Sequence, residues 1–311
     1  MAVKLPEQFI NQMQSLLGEK ADLFFASLDK IVPISIRQNP YKYTEIQHLI
    51  PVSSVNWEPF GSYLQKRPRF ANDPLFHAGS YYVQEASSMF LGFIIRQLSN
   101  TDKWKLVIDL CAAPGGKSTH ILSFLQEDTI LLSNELISSR LGALRQNLLR
   151  WGRLNALTTS MEVAAMAATG IQADLVLVDA PCSGEGLFRK DPESIHHWSP
   201  DQVRSCALRQ HQILISAQKL VAEGGYLIYS TCTYNWQENI ENLASIDKEL
   251  FEPVILDIPS TWNVQQIEKN GDIGYQFYPH LIQGEGFFIS VFRKKLNKEG
   301  SCSNDQKQNW E

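Results

Sequence analysis

From about residue 104 onward, short apolar runs of strand length alternate with segments of helical periodicity, and this alternation limits the possible folds more than any other property of the sequence. Strands that alternate with helices predict a mostly parallel sheet with helices on both faces. The predicted strands are residues 105–110, 129–135, 174–179, 226–231 and 287–292. Because ligands and catalytic groups in open α/β sheets gather outside the carboxyl ends of the strands, we expect a site at that edge.

The first hundred residues have a different pattern, with helices predicted near residues 7–18 and 20–28 and short proline-punctuated strands such as 34–40. We therefore expect a separate small α+β domain before the α/β domain. A segment that becomes helical after about Glu85 connects the two, and the polar, aperiodic end of the chain predicts a flexible tail. The predicted divisions, in chain order, are residues 1–76, 77–103, 104–296 and 297–311.

The composition is that of an ordinary soluble globular protein, with 311 residues of which 44% are hydrophobic and 20% charged. A net charge of −5 argues against a general nucleic-acid binder but leaves local basic patches open. No apolar run approaches the ~18 residues of a membrane span, and the first residues lack the layout of a signal peptide. We expect a cytoplasmic, monomeric protein that makes no membrane contact.

The cysteines must be considered one at a time, because their number is odd and no C-x-x-C pair suggests a zinc or redox site. They are Cys111, Cys182, Cys206, Cys232 and Cys302. Cys206 falls on the apolar stripe of a predicted helix that begins after Ser199, and we expect it in the core. The spacings predict no metal site.

The stretch "LCAAPGGKSTH" looks at first like a nucleotide triphosphate loop. The phosphate-binding pattern requires a glycine where this chain has Cys111, and the dinucleotide pattern fails because only Gly115 and Gly116 of its glycines remain. A strand, a tight turn and a helix remain, and the backbone N–H groups at the helix start could meet a ligand carboxylate or ribose. The candidate loop comprises Cys111, Ala112, Ala113, Pro114, Gly115, Gly116 and Lys117.

Glu135 ends the next predicted strand and lies twenty residues after Gly115. In a dinucleotide-binding unit an acid at this spacing takes ribose hydroxyls, so Glu135 is a candidate ribose ligand. A solvated acid at a strand end remains the alternative.

Two further strands end in residues with chemical potential. Asp179 and Cys182 follow the strand at 174–179, and Cys232 follows the strand at 226–231. These residues would lie at the same sheet edge as the glycine turn. Two buried structural thiols are the alternative interpretation.

At this point the sequence closely resembles the Nol/Nop/Sun family of RNA cytosine carbon-5 methyltransferases, and within it the RsmF-like bacterial rRNA enzymes. The resemblance extends over about residues 80–292 and is most specific in the pairing of "APCSG" with "STCTY". The other matching stretches are "YYVQEASS", "DLCAAPGGKSTH", "NELISSRLGALRQNLLRWG", "FRKDPE" and "PHLIQGEGFF". The resemblance implies a Rossmann-like methyltransferase domain with a small N-terminal RNA-contacting domain, and S-adenosylmethionine as cofactor at the 111–117 loop.

The resemblance also implies roles for the two cysteines. Carbon 5 of cytosine is a poor nucleophile until a thiolate adds at carbon 6. In the family the nucleophile corresponds to Cys232, while Cys182 assists release of the product. Asp179, which also belongs to the expected cofactor site, would hold the N3 edge and amino group of the base. Lys190 is a candidate source of the positive charge that would favour a thiolate, with a surface role as the alternative.

Structured RNA is the implied substrate, with small-subunit rRNA ahead of tRNA. DNA cytosine methyltransferases use the "PC" cysteine as nucleophile, which would leave Cys232 without a function. A non-catalytic RNA-binding or assembly factor on the same fold is the rival from another class. A target base must leave its stack to reach a deep site, and Tyr82, Trp151 and Trp198 are candidate stacking partners, with core aromatics as the alternative.

The sequence departs from the family pattern at three places. Met161 and Glu162 stand where an aspartate is expected to meet the adenine side of the cofactor. Ile240 interrupts the signature after "TCTYN", and Gln276 replaces an arginine common before "PH".

Overall fold

The computed structural model describes residues 5–42, 44–99 and 103–296. The predicted tail at 297–311 therefore lies outside the described residues, as does Cys302.

The N-terminal part forms an antiparallel sheet in the order β2–β3–β1–β4, the N-terminal sheet. Its strands are β1 (Ile34–Gln38), β2 (Pro51–Val55), β3 (Glu58–Leu64) and β4 (Tyr81–Val83). The helices of this part are α1 (Glu7–Leu17), α2 (Ala21–Leu28) and α3 (Pro74–His77). Helices α1 and α2 and strand β1 lie where the sequence predicts them.

The N-terminal sheet extends past the predicted boundary at residue 76. Strand β4 lies in the predicted connecting segment, yet it pairs with β1, placing Val83 opposite Ile36. The segment then becomes helical as α4 (Phe90–Ser99), in agreement with the expectation of a helix after Glu85.

The remaining strands form one large sheet, the central sheet, in the order β11–β12–β13–β9–β8–β5–β6–β7, with β10 paired to β13. These strands are β5 (Leu106–Asp109), β6 (Ile130–Asn134), β7 (Ala156–Thr159), β8 (Ala173–Asp179), β9 (Val221–Thr231), β10 (Phe251–Pro253), β11 (Gln265–Lys269), β12 (Asp272–Phe277) and β13 (Phe287–Lys294). The helices are α5 (Gly116–Leu122), α6 (Ser138–Trp151), α7 (Val163–Ala168), α8 (Glu193–His197) and α9 (Pro200–Ala217). The α/β fold is thus confirmed, and each of the five predicted strands is present.

The central sheet is less parallel than predicted. Strands β7, β6, β5, β8 and β9 run parallel, but β13 is antiparallel to β9 and the strands beyond it continue antiparallel. A parallel neighbour needs a crossover connection, usually a helix, whereas an antiparallel one does not. Residues 232–286, all described, contain no α-helix, so the chain returns to β9 in the antiparallel direction.

The helices flanking the central sheet follow their sequence signals closely. Helix α6 buries the apolar stripe of Leu141, Leu144, Leu148 and Trp151 and is capped by Gly152, whose φ of 85° is in the left-handed region that glycine adopts readily. Ser199 caps α9 by accepting a hydrogen bond from the Gln202 N–H at 3.1 Å. The Gln202 side chain returns no hydrogen bond to the cap, because its Oε1 is buried without a partner among the described residues. Cys206 is buried, as expected.

Candidate active site

The 111–117 loop connects β5 to α5 in a tight turn at the carboxyl edge of the central sheet, the edge where β5, β6, β8 and β9 end. Gly115 has a φ of +105°, and its N–H donates to the Ala112 carbonyl at 2.7 Å. Two side chains of α6 hold the turn from outside: Arg140 donates to the Ala113 carbonyl at 2.6 Å and Asn147 to the Pro114 carbonyl at 2.7 Å. The glycine turn is therefore fixed by its own backbone and by a neighbouring helix.

Glu135, at the end of β6, is buried against this loop rather than solvated. Its Oε2 accepts from the Ala113 N–H at 3.3 Å and faces Arg140 at 3.3 Å, while its Oε1 accepts from the Ile137 N–H at 2.9 Å. A carboxylate oxygen can accept two hydrogen bonds, so Oε1 can receive one from a ligand. Glu135 is therefore a buried, hydrogen-bonded carboxylate and not the solvated acid of the alternative interpretation.

Asp109 ends β5 beneath the same loop and is completely buried. Its Oδ2 accepts from the Ser118 hydroxyl at 2.6 Å, and its Oδ1 has no partner among the described residues. Burial, opposed by the Ser118 hydrogen bond and assisted by the charge of Asp179, raises the pKa of Asp109 to about 7. Sequence reasoning missed this residue, although it occupies the last position of a predicted strand.

The two strand-end cysteines meet. Cys182 Sγ lies 3.2 Å from Cys232 Sγ, and the Cys232 N–H points at Cys182 Sγ at 3.4 Å. The hydrogen bond with Cys232, together with burial, raises the pKa of Cys182 well above its usual range. Cys182 is therefore a protonated thiol in hydrogen-bond contact with the sulfur of Cys232.

Lys117 supplies the positive charge beside this pair. Its Nζ lies 2.8 Å from Asp179 Oδ2 and 5.1 Å from the centre of the Phe287 ring. Burial lowers the pKa of Lys117, but the charge and hydrogen bond of Asp179 and the facing Cys232 raise it, and the pKa lies above its usual value. Lys190, the cation expected from the sequence, acts instead on Glu285.

Asp179 joins the loop and the cysteine strands in one cluster. Its Oδ2 takes the Lys117 ion pair, and its Oδ1 accepts from the Ser230 hydroxyl at 2.8 Å. Its side chain remains 30% exposed, which is enough for a ligand to reach the carboxylate.

Glu185 holds the segment that follows Cys232. It is completely buried, three residues after Cys182. Five groups donate to its two oxygens, at 2.6–3.0 Å: Gln12 Nε2, Trp198 Nε1, Thr233 Oγ1, Tyr234 N and Asn235 N. The loop after β8 thereby fixes the loop after β9, and sequence reasoning missed this residue too.

Gly186 completes that contact. Its N–H donates to the Cys232 carbonyl at 2.9 Å, and a Cβ at this position would lie 2.5 Å from the Gly286 carbonyl oxygen. Only glycine allows so close an approach of the backbones. The "GEG" of "APCSGEG" is therefore a positioning element for Cys232.

A second buried carboxylate holds the two loops from the other side. Glu238 accepts from the Ser183 N–H at 2.9 Å, from Gln210 at 2.8 Å and from Asn235 at 2.7 Å. Burial raises the pKa of Glu238 in spite of these hydrogen bonds.

The departures from the family pattern have structural explanations. Gln276 is completely buried and donates to the Thr233 and Phe287 carbonyls at 3.1 and 3.0 Å, while accepting from Asn239 at 2.9 Å. Ile240 is a buried core residue. The neutral Gln276 side chain thus completes the hydrogen-bond network beside the segment that follows Cys232.

At the expected adenine side, Met161 is held by its backbone. Its N–H donates to Asn134 Oδ1 at 2.9 Å and its carbonyl accepts from Asn134 Nδ2 at 3.0 Å. Glu162 is exposed at the start of α7.

The three aromatic residues considered as stacking partners differ in how accessible they are. Trp151 is 2% exposed and lies under the Arg37 guanidinium, and Trp198 is 6% exposed and bonded to Glu185, so both belong to the core. For these two residues the core alternative is confirmed, because a base cannot reach them. Tyr82 is half-buried beside Gly116 and keeps an accessible surface.

Among residues 5–42, 44–99 and 103–296, no helix is long and apolar enough to cross a membrane. Within the same ranges no group of three or more His, Cys, Asp or Glu residues could hold a metal ion.

Two family models cover most of the chain. The model described as 16S rRNA methyltransferase RsmB/F matches residues 95–293, and the model described as the N-terminal domain of 16S rRNA methyltransferase RsmF matches residues 5–86.

Curated relatives carry the same description. A ribosomal RNA small subunit methyltransferase F from Photobacterium profundum is 33% identical over 306 residues, which are 93% of this chain and 64% of the relative. The protein of that name from Cronobacter sakazakii is 32% identical over 313 residues, covering 96% of this chain and 65% of the relative. The chain thus spans just under two thirds of the length of these relatives.

Solved structures share the whole architecture. A methyltransferase homologue protein from Pyrococcus horikoshii has a TM-score of 0.78 at 26% identity, covering 94% of this chain and 96% of that one. NSun6 from Pyrococcus horikoshii, solved with SFG, has a TM-score of 0.79 at 21% identity, covering 94% of this chain and 99% of that one, and shows the fold alone.

Proposed function

We propose that this chain, which belongs to the 16S rRNA methyltransferase RsmB/F family, transfers a methyl group from S-adenosylmethionine to carbon 5 of a cytidine in small-subunit rRNA. The observation that carries the proposal is the pair of cysteine sulfurs 3.2 Å apart at the ends of β8 and β9, with Lys117 and Asp179 beside them. The relatives' shared description supports the substrate class. A cytoplasmic, monomeric enzyme whose N-terminal part contacts RNA is part of the proposal.

The residues at the carboxyl edge fit this cofactor. Its methionine end carries an ammonium and a sulfonium, its ribose carries two hydroxyls, and the edge offers three acceptors for such groups: Asp109 Oδ1, which has no partner among the described residues, Glu135 Oε1 and the exposed part of Asp179. We propose that the 111–117 loop, Glu135 and Asp179 hold the cofactor, with Glu135 at the ribose. When bound, S-adenosylmethionine supplies an electrophilic methyl group.

The chain's own residues would perform the other steps. Cys232 adds as a thiolate to carbon 6 of the cytosine, and the electron pair of the 5,6 double bond becomes available at carbon 5. Asp179, which pairs with Lys117 at 2.8 Å, accepts hydrogen bonds from the amino group and from N3, which takes up a proton from solvent as the thiolate adds and returns it when the double bond is restored. After methylation, loss of the carbon-5 proton sends its electron pair into the restored double bond, and the carbon–sulfur bond breaks towards Cys232.

The proton at carbon 5 needs a base, and we assign that task to Cys182. Its pKa is raised first of all by the hydrogen bond with Cys232. Once Cys232 is covalently bound to carbon 6, its sulfur carries no charge, so the largest contribution that keeps Cys182 protonated is lost. Cys182 can then release its proton to solvent and accept the one from carbon 5.

A trapping experiment tests this division of roles. Cys182→Ala, incubated with S-adenosylmethionine and transcribed 16S rRNA, should accumulate a covalent protein–RNA adduct on a denaturing gel, because the base is removed and the nucleophile is intact. Cys182→Ala/Cys232→Ala should give none. Cys206→Ala, at a cysteine buried on α9, should turn over like the unaltered protein.

Three results would contradict the proposed function, each at a different point. Methylation by the unaltered protein with no trapped band would refute the assigned roles while leaving the activity. Incorporation into tRNA in preference to rRNA would refute the substrate. Failure to bind S-adenosylmethionine by calorimetry would favour a non-catalytic RNA-binding factor on the same fold.

A further inference from the structure

A groove with a volume of about 480 Å³ lies between the N-terminal part and the methyltransferase part, outside the site described above. One wall is formed by residues 30–34, which connect α2 to β1, with Leu64 and Gln65 at the end of β3. The other wall is formed by Arg189 and by residues 279–283. The second wall contains the start of the "PHLIQGEGFF" stretch, which the proposed chemistry does not use.

The groove lies at the carboxyl edge of the central sheet, next to the cysteines. Residues 279–283 belong to the turn that leaves β12 after Phe277 and enters β13 at Phe287, and these two residues are register partners. One step along β13, Phe288 stands opposite Thr231, the neighbour of Cys232. A strand of RNA whose base reaches Cys232 would therefore pass the groove with its adjacent nucleotides.

His280 lines the groove and carries two ring nitrogens that no described residue uses. Both ring nitrogens are buried without a partner among the described residues. The ring packs against Phe24 at 6.0 Å and Tyr278 at 5.6 Å, which fixes its orientation. Burial and the charge of Lys20 lower the pKa of His280, so the ring is neutral and offers one donor and one acceptor.

Two lysines bring positive charge to the groove and to His280. Lys30 lies exposed in the wall, and Lys20 is close enough to act on His280. Arg189, by contrast, is already used by Glu285, the Gly284 carbonyl and the Ser27 carbonyl. Arg189 therefore shapes the wall, and the two lysines are the cations available to a ligand.

We propose that this groove binds the ribonucleotide adjacent to the target cytidine, with His280 on its ribose 2′-hydroxyl and Lys30 on its phosphate, an inference that rests on the proposed RNA methyltransferase function. The 2′-hydroxyl both donates and accepts, as the neutral His280 ring does, and it is the group that distinguishes RNA from DNA. Ile31, 93% exposed, gives the base an apolar surface.

The test measures binding, independently of turnover. The probes are a short single-stranded, cytidine-containing oligoribonucleotide and DNA of the same sequence, titrated against the whole chain by fluorescence anisotropy. His280→Ala should weaken RNA binding about tenfold, the equivalent of one to two hydrogen bonds, with little effect on DNA. Lys30→Ala should weaken both and reduce the slope of log affinity against log salt by about 0.7.

Matched controls separate the groove from general charge and folding effects. Lys105→Ala, at the opposite edge of the central sheet, and His211→Ala, exposed on α9, should leave both probes unaffected. His280→Gln, which retains a donor and an acceptor, should recover most of the RNA preference. If the groove variants bind RNA as tightly as the unaltered protein does, the groove proposal is overturned, even where adduct trapping upholds the function. If no adduct is trapped but the groove variants still lose RNA affinity, the proposed function alone is overturned.

Discussion

At the scale of single residues, Glu185 determines where Cys232 sits. The five hydrogen bonds to its carboxylate come from the segment after Cys232, from Trp198 and from Gln12 of α1. A carboxylate only accepts hydrogen bonds, and all five of these groups donate one. None of the five donors is therefore left without an acceptor. The position of the nucleophile thus depends on a residue that takes no part in the chemistry.

Glu185→Gln should lower the rate of adduct formation by Cys232 and reduce the free energy of unfolding by about 1–3 kcal/mol. The amide group places a buried donor against the donors already present, whichever way it is oriented. The rate is measured by single-turnover trapping in the Cys182→Ala background, and the stability by denaturant unfolding.

Glu241→Gln is the control, since this carboxylate is 40% exposed and pairs with Lys269 at the surface. The free energy of unfolding of Glu241→Gln should differ from that of the unaltered protein by no more than about 0.5 kcal/mol. An unchanged adduct rate in Glu185→Gln would show that the loop keeps its position without the carboxylate.

Sequence patterns locate the reactive side chains better than the groups that hold them. Cys182, Cys232 and Asp179 were expected at one sheet edge because parallel strands end together, and the sulfurs do lie 3.2 Å apart. The cation was expected at Lys190, but Lys117 fills that place because the 111–117 loop packs against β8. Glu185 looks like a loop acid in the sequence, and the only signal was the pair of glycines around it.

At the scale of elements, the docking of β1 against α5 fixes the end of the 111–117 loop. Arg37 of β1 is completely buried and donates to Thr119 at 2.8 Å, to Ser123 at 3.0 Å and to the Gly116 carbonyl at 3.3 Å. Its guanidinium lies 4.4 Å from the centre of the Trp151 ring. Burial lowers the pKa of Arg37 to about 9, partly offset by Glu58.

Arg37→Lys should weaken S-adenosylmethionine binding about tenfold and destabilise the fold by about 2–4 kcal/mol. An ammonium cannot reproduce the planar fork or the stacking, and buried acceptors on α5 would lose their donors. Calorimetric titration with the cofactor and denaturant unfolding measure the two effects.

Arg69→Lys, exposed beyond the end of β3, is the matched control and should leave both quantities unchanged. Cofactor affinity that survives Arg37→Lys would mean that α6, through Arg140 and Asn147, is sufficient to hold the loop.

Elements with strong amphipathic or apolar patterns were predictable, and weak ones were not. Helices α6 and α9 and strands β5, β6, β8, β9 and β13 carry such patterns. Strand β7 is four residues long and only half-buried, and β11 alternates polar side chains at an exposed edge, so neither stands out from loop sequence. Their strand conformation comes from pairing with β6 and β12, which is tertiary information.

At the scale of the whole molecule, the two sheets share their hydrophobic cores. The largest core cluster of the described residues contains Trp57 of the β2–β3 turn and Tyr63 of β3 together with Phe277 of the central sheet. A second cluster packs Phe9 and Phe24 of α1 and α2 against residues of the cysteine loops, including Tyr234. Independent motion is the usual expectation for two domains, but a large apolar interface removes it.

We therefore expect one cooperative unfolding transition by calorimetry, with amides of β1 and β5 exchanging through the same global opening. Phe24 is a completely buried ring whose centre lies 5.0 Å from that of Tyr234. Phe24→Ala should lower the free energy of unfolding by about 3–5 kcal/mol and leave a single transition. Leu23→Ala, the adjacent residue on α2 and 64% exposed, should change stability by less than about 0.5 kcal/mol. Two resolved transitions, or exchange in β1 that is much faster than in β5, would show that the N-terminal sheet folds as a separate unit, and Gln12 and Arg37 would then act on the active site only when the two units are docked.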